Sequence, residues 1–212
     1  MAIELKKSEL IFNKPLYIGI AILDLSKIVM FDFHYNFMLP KLGADVKLMY
    51  TDTDSFIYEI VCDDVYSEVI DANIERFDTS DYAPDNIYGI PRVNKKVLGL
   101  LKNEANGKII THFAGLRSKM YSYKLDITDE DIEKERKRLE RKGFSKERLD
   151  RELENFGINK KSKGVKKCVV KNKLTSDDYV NCLTAWKGKT VAQQTIRSYA
   201  HDVFPSNKQK LV

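Results

Sequence analysis

The residues best suited to chemistry in this chain are two carboxylates, Asp52 and Asp54, in the stretch 50–55 (YTDTDS). Runs of β-branched and aromatic residues precede and follow this stretch, at 46–50 and 55–62. Such runs around a short break rich in Asp and Thr predict a β-hairpin with the acids near its turn. Like charges this close favour a bound cation, and Mg²⁺ takes carboxylate oxygens while keeping room for substrate phosphates. The pattern therefore indicates a site for two-metal phosphoryl transfer.

Two plainer interpretations of the acid pair stay open. Asp is favoured in turns because its side chain hydrogen-bonds its own backbone, so Asp52 and Asp54 could belong to a solvated turn. Together with Asp63 and Asp64 they could instead form a calcium-binding surface loop. The stretch lacks the dense alternating oxygen ligands and the glycine of an EF-hand loop, which weighs against calcium.

In its wider context the stretch resembles the family B DNA polymerases, most closely the protein-primed group of viral, organellar and transposon-encoded enzymes. In that family a Tyr-x-Asp-Thr-Asp-Ser hairpin is motif C of the palm domain. Here the motif is intact as Tyr50, Asp52, Thr53, Asp54 and Ser55. Two further similarities follow in the family's order. The stretch 116–121 (LRSKMY) resembles the Lys-x-Tyr motif on the primer side of the palm, and 163–167 (KGVKK) resembles the basic stretch that opens the thumb.

The resemblance implies a DNA-directed DNA polymerase, a nucleotidyltransferase of DNA replication that uses two Mg²⁺ ions, with Mn²⁺ as a substitute. Asp54 would be the main metal ligand and Asp52 a more peripheral one. The implied partners are primer–template DNA, deoxynucleoside triphosphates and a terminal priming protein. The residues implied in DNA binding are Tyr50, Arg117, Lys119, Tyr121, Lys163, Lys166 and Lys167.

The resemblance is incomplete at its upstream end. Residues 1–45 contain neither the family's motif A, which supplies the other metal-bridging carboxylate, nor the motif B helix that holds the incoming nucleotide. We therefore expect a carboxyl-terminal polymerase fragment that is inactive as an isolated chain. Two alternatives remain: a palm–thumb remnant that binds primed DNA without chemistry, and an inert remnant of a mobile element.

Composition narrows the class of protein. The chain has 43% apolar residues, enough for a core, yet no run of about 18 apolar residues, so no membrane span is expected. Three scattered cysteines favour a reduced intracellular compartment, either nucleus or cytoplasm. Residues 159–212 carry twelve Lys or Arg and three acids, a balance of +9, whereas residues 1–158 sum to −4. The basic end has the charge needed near phosphates.

The predicted fold is α+β: a partial palm over 1–126, a charged helical insertion over 127–158 and a basic thumb-like region over 159–212. The palm would combine a mixed or antiparallel sheet with packed helices. Its first helix, from Asn13 to Pro40, is apolar on all sides and should be buried. The remaining predicted elements are a helix after Asp63 or Asp64, strands 95–102, 108–113 and 118–125, helices 129–142 and 145–156, a basic loop 160–173, and a helix 177–186.

Overall fold

The computed structural model describes residues 14–105, 107–199 and 202–211. Its helices and small, mostly antiparallel sheets confirm the predicted α+β class. The chain divides into two compact units. We call Gly19–Thr111 with Leu125–Thr128 the hairpin unit, and His112–Lys124 with Asp129–Val212 and the described residues before Gly19 the basic unit.

The first helix extends beyond the end that the sequence predicted. Helix α1 spans Leu16–Phe31 and continues through a wider, π-type segment, Asp32–Met38, into a last turn, Leu39–Leu42. Pro40 lies inside that last turn, so the prediction that it ends the helix was wrong. The helix ends where Gly43 takes a φ of +56°, a conformation that glycine adopts without strain. The predicted cap, Asn13, lies outside the described residues.

Only the end of this helical stretch is buried. Met30, Phe33 and Phe37 belong to the core, whereas Phe31 and Tyr35 are 58% and 59% exposed. The other exposed large apolar side chains of α1 are Leu16, Tyr17, Ile18, Ile20, Ile22, Leu23, Leu25, Ile28 and Val29. The expectation of a helix buried on all sides is therefore wrong for its first turns. Among the described residues, no helix combines the length and apolar character that crossing a membrane requires.

The core of the hairpin unit lies between this helical stretch and two antiparallel strands, β1 (Val46–Asp52) and β2 (Ser55–Ile60). Short helical segments follow at Tyr66–Ile70 and Asp71–Arg76. Asp64 caps the first of them, since its Oδ1 accepts a hydrogen bond from the Tyr66 N–H at 2.9 Å. The buried core residues are Phe33, Phe37, Met38, Val46, Tyr66, Val69, Ile70, Phe77, Tyr82 and Ile90.

A small parallel pair completes this unit: β3 (Phe77–Asp78) and β4 (Leu101–Lys102). The strand predicted over 95–102 is thus reduced to its last two residues. The physical reason is backbone conformation, because Asn94, Lys96 and Gly99 have φ values of +60°, +58° and +84°. A segment that turns left-handed this often cannot stay extended.

The basic unit contains a three-stranded sheet in the order β5 (Ile110–Arg117), β6 (Met120–Leu125) and β7 (Ile158–Ser162). The predicted charged helices are present as α2 (Asp129–Arg141) and α3 (Lys146–Glu154). Helix α2 carries several ion pairs at i,i+3 and i,i+4 spacing, as a solvated helix should.

The remainder of the unit differs in part from the prediction. Residues 160–173 are not a loop but the end of β7, a turn, and helix α4 (Lys167–Lys173). Helix α5 (Ser176–Ala185) begins as predicted, with Thr175 and Asp178 forming a capping box. Strands β8 (Thr190–Tyr199) and β9 (Asp202–Leu211), which the sequence did not predict, pair antiparallel. The buried core residues are Ala114, Met120, Val170, Leu174, Tyr179 and Val191.

Candidate functional site

The acid pair lies where the sequence predicted it, at the tip of the β1–β2 hairpin. Asp52 pairs with Ser55 across the strands, so Thr53 and Asp54 form a two-residue turn. Thr53 has a φ of +56°, which a tight hairpin turn requires. Asp54 is exposed and Asp52 is partly exposed, so both carboxylates can reach a ligand in solvent.

A β-bulge decides which way the motif residues face. Near the base of the hairpin, Leu48 pairs with Tyr58, whose side chain packs against the core. Beyond a register shift between Leu48 and Tyr50, Tyr50 pairs with Ile57. Neighbouring residues of a strand face opposite sides, so Tyr50 shares the face of Ile57, opposite to that of Tyr58. In an unbroken ladder Tyr50 would pair with Phe56, which packs against the core. Because the bulge accommodates the extra residue of β1, Tyr50 instead faces away from the core, and Asp52 with it.

Hydrogen bonds around the turn hold Asp52 in place. The Asp54 N–H donates to the Asp52 carbonyl oxygen at 2.6 Å, and Ser55 Oγ donates to the same oxygen at 3.2 Å. Thr53 Oγ1 donates to Asp52 Oδ1 at 3.4 Å. Simple alternation through the turn would have pointed Ser55 away from Asp52. That expectation was wrong, because a two-residue turn makes the residues that flank it cross-strand partners on one face.

The helix behind the hairpin fixes it through an aromatic contact that the sequence did not reveal. His34, in the π-type segment, has its Nδ1 within 3.0 Å of Tyr58 Oη, and the two rings stack at 5.7 Å. Phe33 stacks on Phe56 at 6.3 Å. Burial raises the pKa of Tyr58, so this hydroxyl stays protonated. His34 is thus a supporting residue of the hairpin, and a lone histidine in an apolar segment gave no signal of that role.

The donor set at the hairpin tip suits a hard divalent cation in part. Asp52 and Asp54 supply carboxylate oxygens, the ligands that Mg²⁺ prefers. Within residues 14–105, 107–199 and 202–211, no group of three or more His, Cys, Asp or Glu side chains is placed to hold a metal ion. The hairpin can therefore contribute two protein ligands, and waters or substrate phosphates would fill the other positions.

The Lys-x-Tyr stretch forms the second hairpin of interest, in the basic unit. Ser118 and Lys119 make the turn between β5 and β6, and Lys119 has a φ of +60°. Lys119 is thus at a hairpin tip rather than within a strand. Arg117 Nε donates to the sulfur of Met120, which folds the guanidinium back over this turn. Tyr121 lies in β6, stacks on Tyr123 and faces the ammonium of Lys161 at 5.7 Å.

The basic stretch 163–167 leaves the same end of the same sheet. In β6 and β7, Met120 pairs with Ser162 and Tyr121 with Lys161. Lys119 directly precedes Met120 and Lys163 directly follows Ser162, so both lysines lie just beyond the last residue pair of these two strands. Two motifs that stand far apart in the sequence are therefore brought together within the basic unit.

Apart from Lys161, which faces the Tyr121 ring, the lysines of 160–173 divide into two groups. Lys160, Lys171 and Lys173 make internal contacts: Lys160 Nζ donates to Asn155 Oδ1 and the Leu174 carbonyl, Lys171 pairs with Glu152, and Lys173 donates to the Ala192 carbonyl. Burial lowers the pKa of Lys160, as expected for a structural cation. Lys163, Lys166 and Lys167 are exposed. Lys171 and Lys173 are exposed as well, so the two groups differ in their internal contacts and not in their exposure.

A buried glutamine, Gln193 of β8, fixes the turn that carries these exposed lysines. Its Oε1 accepts from the Lys166 N–H at 2.9 Å and its Nε2 donates to the Gly164 carbonyl at 2.8 Å. A Cβ added to Gly164 would lie 3.7 Å from the Lys210 side chain, so Lys210 of β9 adds a further cation beside the turn. Sequence reasoning missed Gln193 and Lys210 because the two strands that carry them were not predicted.

The predicted site residues therefore form two groups, one in each unit. Tyr50, Asp52 and Asp54 lie on the β1–β2 hairpin, and the other six lie around one end of the β5–β6–β7 sheet. No protein family, no curated protein and no solved structure matches this chain.

Proposed function

We propose that the chain is a palm and thumb portion of a family B DNA polymerase and serves template-directed nucleotidyl transfer. One observation carries the proposal: the intact Tyr50–Ser55 motif occupies a hairpin whose bulge turns Tyr50 and Asp52 away from the core, with Asp54 exposed in the turn. A solvated turn needs no such bulge. Bulges are over-represented beside active sites because they re-aim side chains.

The roles of the residues follow from their chemistry. Asp54 and Asp52 would hold Mg²⁺, with Mn²⁺ as a substitute, and the bound metal would stabilise charge on the attacking and leaving oxygens of phosphoryl transfer. Tyr50, on the outward face of β1, is a candidate contact to the primer strand. The exposed cations at the sheet end of the basic unit would contact phosphates of the primer–template. The incoming substrates would be deoxynucleoside triphosphates, and a terminal priming protein is a further proposed partner.

A second candidate function is DNA binding without chemistry. It is favoured by the contrast between the two groups of residues. The basic group gathers Lys119, Lys163, Lys166, Lys167 and Lys210 around one sheet end, whereas the hairpin offers two carboxylates. Phosphate contacts need only cations, so such a surface binds DNA even where metal-assisted transfer does not proceed.

Two assays on the full chain separate these candidates. The first measures binding to a labelled primer–template by fluorescence anisotropy, and the second measures primer extension with all four deoxynucleotides and Mg²⁺ or Mn²⁺. Extension that Asp54→Asn abolishes supports the polymerase proposal. Because the missing motifs A and B predict an inactive isolated chain, salt-dependent binding without extension leaves the metal site to decide between the candidates. Mn²⁺ binding that Asp54→Asn weakens then supports the polymerase portion, and the absence of Mn²⁺ binding supports the DNA-binding remnant. The absence of both DNA binding and primer extension would contradict both candidates.

A further inference from the structure

The loop that joins β3 to β4 in the hairpin unit folds back on itself around one buried residue. Thr79, fully buried, donates its N–H to the Val93 carbonyl at 3.2 Å and its Oγ1 to the Pro91 carbonyl at 2.6 Å. The Val93 N–H returns a bond to Thr79 Oγ1 at 3.2 Å. These bonds hold Ser80 beside the segment 92–95. An open cavity of about 410 Å³ lies here, lined by Ser80, Arg92, Val93, Asn94 and Lys95.

The polar groups around this cavity are arranged for a negative charge. Arg92 Nε donates to the Ser80 carbonyl at 3.1 Å, which fixes the guanidinium plane and leaves its two terminal nitrogens as donors. Lys95 adds an exposed ammonium to the same wall. The Ser80 hydroxyl is buried beside the Asp78 carboxylate and contributes to the lowered pKa of Asp78, so Ser80 shapes the wall and is not counted as a donor to a ligand. The Asn94 amide donates to the Ile74 and Phe77 carbonyls, so it shapes the wall.

One carboxylate competes for these cations. Asp81 pairs with Lys102, and the ammonium of Lys102, assisted weakly by that of Lys95, lowers the pKa of Asp81. Asp81 already has a cation of its own, so it does not neutralise Arg92 and Lys95 together. Asp78, the other acid of this loop, accepts the N–H groups of Ser80 and Lys96 at 3.0 Å and is buried. The cavity wall therefore keeps a net positive charge.

We propose that this cavity is an anion site that binds a phosphate group through Arg92 and Lys95. A guanidinium fixed by its Nε presents two parallel donors, the geometry that phosphate oxygens accept. The ammonium of Lys95 supplies a second, adaptable charge. The site belongs to the hairpin unit but not to the β1–β2 tip, and it does not depend on polymerase activity. Its ligand is a phosphate monoester or the diester of a nucleic-acid backbone.

The test is a titration of the ¹⁵N-labelled full chain with inorganic phosphate, followed by amide chemical shifts at constant ionic strength in a chloride background. We expect saturable shifts at the amides of Ser80, Val93 and Lys95. Arg92→Gln and Lys95→Gln should each weaken binding about tenfold, the loss of one charge-assisted hydrogen bond. Asp81→Asn should strengthen binding, because it removes the competing carboxylate. Lys47→Gln, which removes a cation paired with Glu59 elsewhere in the unit, is the matched control.

The same kind of amide titration also covers a misfolded variant and the choice between ester classes of ligand. If Arg92→Gln perturbs the fold, Lys95→Gln decides alone, since the Lys95 side chain makes none of the bonds that hold the loop. Repeating the titration with deoxythymidine monophosphate and with the dinucleotide dTpdT distinguishes a monoester from a diester ligand. Chemical shifts that do not saturate with phosphate would overturn the proposal. Equal phosphate affinities in the wild type and in the Arg92→Gln, Lys95→Gln and Lys47→Gln variants would overturn it as well.

Discussion

Lys119 and Lys163 leave the β5–β6–β7 sheet at the same end, each directly beyond its member of the Met120–Ser162 pair. Like charges are placed together here although 43 positions separate them in the sequence. Such an arrangement costs electrostatic energy unless solvent or an anion screens it. A polyanion that follows the sheet end would provide that screening, and this is the physical basis of the first prediction.

Neutralising the exposed lysines should flatten the salt dependence of DNA binding. The triple variant K163Q/K166Q/K167Q should lower the log–log slope by roughly one unit for each phosphate contact that is lost. The measurement is a salt titration of primer–template binding by fluorescence anisotropy. The control is K137Q/K142Q, on and just after α2, where charges of both signs alternate. Equal slopes for the wild type and the triple variant would exclude this surface as the DNA contact.

Replacing Gln193 should destabilise the turn that carries those lysines. Gln193→Met keeps the shape of the side chain but leaves the Lys166 N–H and the Gly164 carbonyl without their partner. A buried polar group left unpaired costs about 1–3 kcal/mol, and water can reach the exposed Gly164 and Lys166, so the two losses together should stay within this range. We expect a loss in this range in urea unfolding followed by circular dichroism. Gln194→Met is the matched control because Gln194 is exposed. Equal free energies of unfolding for the two variants would show that the Gln193 hydrogen bonds contribute nothing to stability.

Asp54 should dominate cation binding at the hairpin tip. Asp54→Asn should weaken Mn²⁺ binding by at least about tenfold, because a neutral amide is a poor substitute for a carboxylate ligand. Asp52→Asn should have a smaller effect if Asp52 is the more peripheral ligand. Electron paramagnetic resonance of free Mn²⁺ measures both. Asp85→Asn, an exposed loop acid of the same unit, should change nothing. Affinities equal to the wild type in both hairpin variants would exclude the metal site.

Tyr179 should make the basic unit sensitive to alkali. This fully buried side chain donates to the Lys161 carbonyl at 3.1 Å, and burial raises its pKa to about 12. Between the unfolded pKa of about 10 and the folded value, the unfolded chain releases a proton that the folded chain keeps. Stability should therefore fall as pH rises through this window, by up to about 1.4 kcal/mol per pH unit.

The test compares urea unfolding at several pH values in wild type and Tyr179→Phe. The variant should lose this part of the pH dependence, while lysine titration, common to both proteins, cancels in the difference. Tyr199→Phe, at a tyrosine that is 78% exposed, should behave like the wild type. Parallel curves for all three proteins would contradict the prediction.

The sequence predicted those helices and strands whose ends are marked by turn or cap residues. The acid-rich break between two apolar runs predicted the β1–β2 hairpin. Thr175 and Ser176 were both candidate caps for a helix 177–186, and the structure uses Thr175, so α5 begins one residue earlier. The charged helical pair could also be predicted, because Gly143 follows the end of α2 and Ser145 occupies the N-cap position of α3. In each case a turn or cap residue stands next to the element that it begins or ends.

What the sequence did not predict depends on pairing and packing that composition and alternation within one segment do not reveal. Strands β8 and β9 are polar along most of their length, and their pairing with each other supplies the backbone hydrogen bonds that their composition does not suggest. The apolar pattern of α1 predicted burial, yet the described residues cover only its end. The face occupied by Tyr50 and Asp52 depends on one shift of register, which strand alternation within β1 alone cannot reveal.

The bulge in β1 also bears on how this hairpin tolerates insertions and deletions. Leu48 pairs with Tyr58 and Tyr50 with Ile57, so Met49 is the residue for which β2 offers no counterpart. Its removal would leave an unbroken ladder with the same residues on each face. A one-residue deletion at any paired position of β1 would instead exchange the faces on one side of the change. The hairpin thus has one position at which chain length can vary without moving the acids, and aligned sequences with a gap there would still share the same site.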